Sequence, residues 1–524
     1  MSYDVIIIGG GHNGLICAAY LAKAGLSVCV FEKRLEIGGG LSTEEATEPG
    51  FYHNLHSVFH DAVEHMPAMA DLALAAHGAE YILPPVQVGL AFTDGRALTV
   101  HTDHQKTRAS LARFSERDAR AWMALKDDYG EFMSTIVIPA LYAPPPTPSE
   151  QTMALERTPE GLAYLRLSRQ SPEDVVRELF ESDAAQAAAL FQLAVPRGAI
   201  TDSAGLGMLV PLVVSQVERS HLAKGGSHAI AHALWRVVLK AGGSVRGTRE
   251  VTRIVVEGGR ASAVELASGE RIAAKKAIVS AIDLKQTFLR LLSPGALDPA
   301  FVESVKTYKL DEFSLFGVHL ALEEAPRYRA TAFDPDLDRA FKIGIGFERT
   351  EDFAALWHDV RRGALPEQPK MYVCCPSLHD PSQAPPGRHT AFLWAVVPYA
   401  LRDGGAAAWD RVGPAYAERC LATWAAEAPN LTGSNILAKR VLSPLDIERK
   451  LQSMPRGGVF HGRLSLDQIE RFRPLPVLAD ASTPVAGLYL AGASLHPGGG
   501  ILGACGYIAA QKICADLGVA RWWS

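Results

Sequence analysis

A glycine-rich turn between an apolar strand and a helix, within the first forty residues, constrains this chain more than any other feature. Tyr3 to Ile8 (YDVIII) is a short apolar run rich in β-branched residues, which reads as a buried strand. Gly9, Gly11 and Gly14 follow at once in the spacing G-x-G-x-x-G. Leu15 to Ala24 reads as a helix, Gly25 closes it, and Ser27 to Phe31 reads as a second strand ending at Glu32. Each piece has a mechanical reason in a βαβ unit that binds a dinucleotide. Gly9 allows the tight turn, Gly11 lets the backbone approach a pyrophosphate, and Gly14 lets the helix pack close to the strand. The helix N-terminus offers free N–H groups and the positive end of its dipole to the phosphates. Glu32 stands where a carboxylate accepts hydrogen bonds from ribose hydroxyls. His12 and Asn13 inside the turn, and Lys33 beside the acid, are candidate cofactor contacts by position.

Distant segments decide between NAD and FAD. A doublet, Gly38-Gly39, follows Glu32, and Gly487 to Gly506 reads GLYLAGASLHPGGGILGACG. The latter predicts a strand over Leu488 to Ala491, a glycine-rich turn, and a helix starting near Gly500. NAD needs no second helix facing its pyrophosphate, whereas a flavin with its ribityl chain and ring needs more cover. Gly205/Gly207 and Gly344/Gly346 each lack the third glycine, so no separate NAD(P) domain is expected.

On these residues the chain resembles the FAD-dependent amine oxidase and phytoene desaturase superfamily, and within it the phytoene desaturase-like branch. Ala493 to Gly503 (ASLHPGGGILG) is similar to that branch's H-P-G-x-G signature. Pro376-Ser377, Asp380-Pro381 and Ala384 to Gly387 resemble its "PS…DP…APPG" segment. Ser443-Pro444 through Glu448, Gly457-Gly458, His461-Gly462, Asp467-Gln468 and Arg473-Pro474 resemble a late stretch. Two positions depart from the superfamily: Gly40 stands where many members carry Arg, Met or Ala, and Ala493 where amine oxidases place an acid. The resemblance implies FAD, held also by Gly38, Gly39, Gly40, Leu41, Val251, Gly492, Ala493, Gly499, Gly500 and Ile501.

The implied fold class is α/β, a Rossmann-type FAD-binding domain with an interleaved α+β substrate domain built on a mixed sheet. At 524 residues the chain is too long for one core. Residues 1–60, 220–290 and 455–524 are assigned to the FAD domain, and 61–219 and 291–454 to the substrate domain. A helix over Ser227 to Lys240, a hairpin of Val251 to Val256 with Ala261 to Leu266, and a strand over Lys275 to Ala281 belong to the former. Strands over Ser314 to Leu322 and Thr390 to Val397 suit a sheet flooring a pocket. A net charge of −5 leaves no basic footprint for nucleic acid. Seven cysteines without C-x-x-C spacing fit a reducing, cytoplasmic setting. The apolar N-terminus is the first strand rather than a cleaved signal.

A flavin accepts hydride at N5, so the protein must present a C–H bond in an apolar site and manage a proton. The segment Gly50 to His60 (GFYHNLHSVFH) carries His53, His56 and His60, and an imidazole is the natural proton carrier near neutrality. Those three and His496, in the C-terminal turn, are the catalytic candidates, with hydrogen bonding to backbone or FAD as the plainer role. The chain leaving Gly39 must travel toward the flavin ring, which places Gly50 to His60 across the pocket from the C-terminal turn. No metal is expected, because Pro49-Gly50 points to an extended entry rather than the helix that the histidine spacing would need. His228 and His232 line or cap their helix, and Lys309 and Lys342 are weaker candidates for a lysine near the flavin. Ala204 to Val217 and Phe132 to Tyr142 are apolar enough for a tunnel mouth, a membrane-dipping surface or core helices.

The expected reaction is dehydrogenation of a hydrophobic or partly hydrophobic organic substrate. Electrons leave to oxygen, a quinone or another diffusible carrier. Oxidation of a C–N bond, a redox-neutral isomerisation and a non-catalytic flavoprotein scaffold are the alternatives. Peripheral membrane contact is compatible with all of them.

Overall fold

The computed structural model describes residues 2–194 and 197–523. Strand Ser2–Ile8 lies inside a seven-stranded sheet, parallel to Val28–Phe31 on one side and to Arg271–Ser280 on the other. Ser244–Arg246 extends the sheet beyond Val28–Phe31, and Leu488–Leu490 extends it beyond Arg271–Ser280, both in parallel. Val5, Ile6 and Ile7 are wholly buried. Such continuous apolar runs belong to parallel strands covered on both faces. The first half of Arg271–Ser280 pairs instead antiparallel with Arg260–Leu266, which closes a hairpin with Val251–Glu257.

Helix His12–Lys23 packs between helices His228–Lys240 and Ala504–Leu517. It begins three residues earlier than the sequence pattern predicts, because the turn residues His12 to Gly14 already take helical geometry. The C-terminal helix begins later than expected, at Ala504 rather than near Gly500. Gly498, Gly500 and Gly503 hold φ of 119°, 103° and 70°, the left-handed region that no helix tolerates. The turn is therefore longer than the sequence suggests. His228 opens its helix and packs its ring 5.0 Å from that of His232.

The second sheet is mixed, in the order Ile436–Leu442, Phe313–Leu322, His389–Pro398, Met371–Cys374, Lys342–Ile345, Val86–Ala91, Ala97–His101. Only Lys342–Ile345 and Val86–Ala91 pair in parallel. Alternation along the strands sorts the side chains. Phe316, Val318 and Leu320 join Leu393 and Ala395 against helix Trp409–Glu427. Leu315, Gly317 and His319 fall on the opposite face, with Phe392, Trp394 and Tyr372, and the segment from Phe51 to Phe59 crosses it.

Helix Leu209–Val214 and its flanks are core apart from the exposed Ala204, so Ala204 to Val217 forms neither a tunnel mouth nor a surface patch. Phe132 to Tyr142 differs: a π-helical turn, Met133–Val137, leads into Ile138–Leu141 and leaves Ile136 exposed. This stretch clasps the C-terminal turn. Tyr142 donates to the Leu502 carbonyl at 3.1 Å, and the Ala140 carbonyl accepts from His496 Nε2 at 3.0 Å. No helix among the described residues is long and apolar enough to cross a membrane.

Gly14 sets how closely the first helix packs against its own strand-end turn, and Gly506 how closely the C-terminal helix approaches that first helix. A β-carbon on Gly14 would lie 2.2 Å from the Gly9 carbonyl oxygen, and one on Gly506 2.2 Å from that of Asn13. Backbone cannot yield as a flexible side chain does, so Gly14→Ala costs about 2 kcal/mol or more as an overpacked core. A lower denaturation midpoint for the apoprotein checks this, and an unchanged midpoint contradicts it.

Candidate active site

Two adjoining cavities, with about 1030 and 1470 Å³ of empty volume open to solvent, share Gly11, Gly39, Ala281 and Ser453 as their common wall. Together they follow the edge of the parallel sheet, past the turn between strand Ser2–Ile8 and its helix, as ligand sites of open α/β sheets do.

The larger cavity begins at the strand end. Glu32 accepts the N–H groups of Gly10 at 2.7 Å and Arg34 at 2.8 Å, so its carboxylate is fixed at the head of the turn. Lys33, paired with Glu250 at 2.8 Å, and Val251 line the same space. The Gly38 N–H donates to the Gly10 carbonyl at 2.7 Å, which lays the doublet along the turn. Gly39 comes so near that a β-carbon on it would sit 3.2 Å from the Gly11 Cα. A β-carbon on Gly11, in contrast, would meet nothing within 4 Å. The turn is thus tight on every side except the one facing the cavity. A pyrophosphate fits that opening; His12 lines the smaller cavity, with its buried Nε2 unpartnered.

Of the expected cofactor contacts, Gly9, Gly11, His12, Asn13, Glu32, Lys33, Gly39, Gly40 and Val251 line the cavities. So do Ala493, Gly499, Gly500 and Ile501. Gly14, Gly38, Leu41 and Gly492 do not. Gly14 serves helix–strand packing, and Gly492 lets its strand end pass the Ile282 carbonyl, 2.4 Å from where a β-carbon would be. Leu41 is fully buried in the core beside the parallel sheet. The C-terminal helix also stays back from the cavity. Its Gly506 N–H is taken by Asn13 Oδ1 at 3.2 Å, and the loop Gly499 to Ile501 forms the wall in its place.

The smaller cavity is lined on one side by His56 to Phe59 and on another by Gly499 to Ile501. Only His56 of the four histidine candidates reaches it, with Nε2 unpartnered. His53 Nε2 pairs with Thr47 Oγ1 at 2.7 Å, away from the cavity. His60 is fully buried between Ser57 Oγ and the Tyr81 hydroxyl, both at 2.9 Å. His496 is held by the Ala140 carbonyl. Each is turned from the cavity by a hydrogen bond that burial makes costly to give up. Lys309 is at the surface with Asp467. Lys342 is fully buried behind Phe59, its Nζ 4.6 Å from that ring, and burial lowers its pKa to about 8.

The floor comes from residues that no local pattern marks: Leu315, Tyr372 and Trp394 from the mixed sheet, and Met454, Phe460 and His461 from the late loop. That loop is gripped from two directions. The buried Arg473 guanidinium donates to the carbonyls of Phe460 at 2.7 Å, Ala493 at 3.2 Å and Leu495 at 3.2 Å. Asp311 accepts the backbone N–H groups of Gly462, Phe460 and His461, and burial pushes its pKa up to about 6. Burial holds the cavity histidines neutral: His56 falls to about 3, helped by the Lys450 and Arg34 charges, and His12 and His461 fall to about 4.

Residues 14–514 match the family described as flavin containing amine oxidoreductase. The chain belongs to that family; it is an FAD-dependent oxidoreductase. It is 33% identical to one of the subunits of limonene dehydrogenase from Castellaniella defragrans, over 99% of this chain and 96% of that protein. It is 25% identical to a lycopene-forming phytoene desaturase of a Paracoccus species, over 98% of both. Among solved structures, putrescine oxidase bound to putrescine shares the fold with a TM-score of 0.63 at 17% identity, over 99% of this chain and 100% of that one.

Gly11 and Gly14 separate cofactor binding from folding. Gly11→Ala leaves the apoprotein's denaturation midpoint unchanged, since the added methyl meets no protein atom. It lowers the FAD retained on purification tenfold or more, as the methyl occupies the phosphate's approach. Flavin absorbance per protein, set beside the denaturation curve, checks both halves.

Proposed function

We propose that this enzyme dehydrogenates an apolar organic substrate at a C–C bond, with His56 taking the proton. The observation that carries this is the lining of the smaller cavity: Phe59, Leu315, Tyr372, Trp394, Val459 and Phe460 around His56, without an Asp, Glu, Lys or Arg among the described residues. A hydrocarbon is at home against such a wall, which offers no carboxylate to an ammonium group. The relatives named for limonene and phytoene support the same class.

Bound FAD supplies a hydride acceptor. The chain's own residues do the rest. The apolar wall keeps water away and orients the substrate by shape. Hydride leaves one carbon, and a proton leaves its neighbour to His56, whose neutral ring has one nitrogen free to accept it. The electrons of the second C–H bond become the new π bond. A weakly basic imidazole suffices, because a carbon that has lost hydride makes the neighbouring proton strongly acidic. Electrons then pass to oxygen, a quinone or another diffusible carrier.

The FAD-binding part is residues 1–60, 220–290 and 455–524, and the substrate part 61–219 and 291–454, in keeping with the two sheets. Seven unpaired, buried cysteines suit a reducing cytoplasm, with peripheral membrane contact as the route for an apolar substrate.

Anaerobic mixing with a panel of terpenes and primary amines tests the proposal. Limonene or a similar hydrocarbon bleaches the flavin and yields a product two hydrogens lighter. Bleaching by amines alone, with ammonia released, overturns it. His56→Ala retains FAD but slows reduction about 100-fold or more, the usual worth of a positioned base. The wild-type reduction rate stays level between about pH 5.5 and 8, since an imidazole held neutral gains its proton only as the pH falls toward its lowered pKa. A decline centred near the ordinary histidine pKa contradicts the assignment.

A further inference from the structure

Of the residues that wall the smaller cavity, three hold the left-handed φ that favours glycine. Two of them, Gly39 and Gly500, are glycine; the third, His461, has φ 58° and carries a full side chain. Its backbone is held there on every side. Asp311 accepts the N–H groups of Phe460, His461 and Gly462. Arg473 donates to the carbonyls of Phe460 at 2.7 Å and Gly462 at 3.3 Å, and the Tyr308 hydroxyl donates to that of His461 at 2.9 Å. Every backbone polar group of three successive residues is thus bound, although they belong to no helix or strand. Strain persists only where the surroundings over-determine it, and such places gather at sites that use the side chain.

The ring narrows what that use is. It is hydrogen-bonded to the Ser453 carbonyl, and its remaining nitrogen meets no protein partner among the described residues. Burial, with the Arg473 charge and His12 nearby, lowers its pKa to about 4, so the ring is neutral. A neutral imidazole whose N–H is given to a carbonyl offers its other nitrogen as an acceptor. It suits a hydroxyl rather than a phosphate. Ser453 also fixes its place. That residue belongs with Gly11 to the wall that the two cavities share, and His461 lines only the smaller one. With adenosine beside Glu32 in the larger cavity and a pyrophosphate over Gly11, the next stretch of FAD is its ribityl chain, which carries hydroxyls.

We propose that His461 accepts a hydrogen bond from a ribityl hydroxyl of FAD and so guides the cofactor from one cavity into the other. The proposal concerns the cofactor alone. It is independent of what the flavin oxidises and of the role of His56.

Three probes test it: FAD, ADP, and an FAD analogue with an unhydroxylated five-carbon chain in place of ribityl. Each is titrated into the full-length apoprotein, the two flavins followed by fluorescence quenching and ADP by calorimetry. His461→Gly, which is at home at φ 58°, and His461→Ala both lack the acceptor. Each binds FAD about fivefold to tenfold more weakly than wild type, the worth of one neutral hydrogen bond. Both bind ADP as wild type does, which reports an intact fold and an intact larger cavity, and both bind the analogue as wild type does. Unchanged FAD affinity overturns the proposal. So does an equal loss for the analogue, since His461 then acts by packing or on the flavin ring. A parallel loss for ADP in both variants overturns it too, because the defect then lies in the fold. Failure of the terpene experiment leaves this comparison untouched.

Discussion

Two carbonyl oxygens govern how closely the first helix is packed, one against its own turn and one against the C-terminal helix. Those of Gly9 and Asn13 lie where methyl groups on Gly14 and Gly506 would be, so helix His12–Lys23 presses against backbone on both flanks. Residues nearly five hundred positions apart are thereby locked together, with Asn13 Oδ1 accepting the Gly506 N–H. The cofactor cavity exists because of this junction. The tight turn leaves Gly11 open on one side only, and the C-terminal turn, Gly499 to Ile501, is carried to the far wall.

The rest of the wall is held by buried polar groups rather than by packing alone. Arg473 takes carbonyls from both the 460 loop and the turn after Gly492, while Asp311 takes N–H groups of the same loop. A buried guanidinium is costly to desolvate, and truncating one partner of such an arrangement strands the other. The gain is position: Phe460 and His461 stand at the cavity wall although their loop has little regular structure. The floor opposite is a sheet face, so the reacting end of the site lies between a rigid surface and a clamped loop.

Much of this was legible in the sequence because its signals are local. The G-x-G-x-x-G turn, the acid at the strand end, the glycine doublet and the alternating hairpins each fit within a few residues of chain, and the family follows from them. What escaped is long-range. Tyr372 and Trp394 look like ordinary strand residues until the mixed sheet turns that face toward the cavity. His461 stood within a stretch that carries the family resemblance, but nothing local assigned it to the wall. The histidines of Gly50 to His60 were visible as a group, with His56 and His60 ahead of His53, yet only His56 reaches the cavity. Extended backbone alternates its side chains, and hydrogen bonds from Thr47, Ser57 and Tyr81 decide which of them turn away. The late start of the C-terminal helix was hidden for a related reason: a run of glycines can open a helix or postpone it, and φ is not written in composition.

The central claim is that the two cavities form one site, with the flavin ring at the end walled by His56, Tyr372 and Trp394. A crystal structure of the yellow holoenzyme tests it most directly. The account predicts adenosine beside Glu32 and Val251, pyrophosphate over Gly11, and the ring within single-water reach of His56 Nε2. A ring more than about 10 Å from that nitrogen, beyond such reach, would contradict the account.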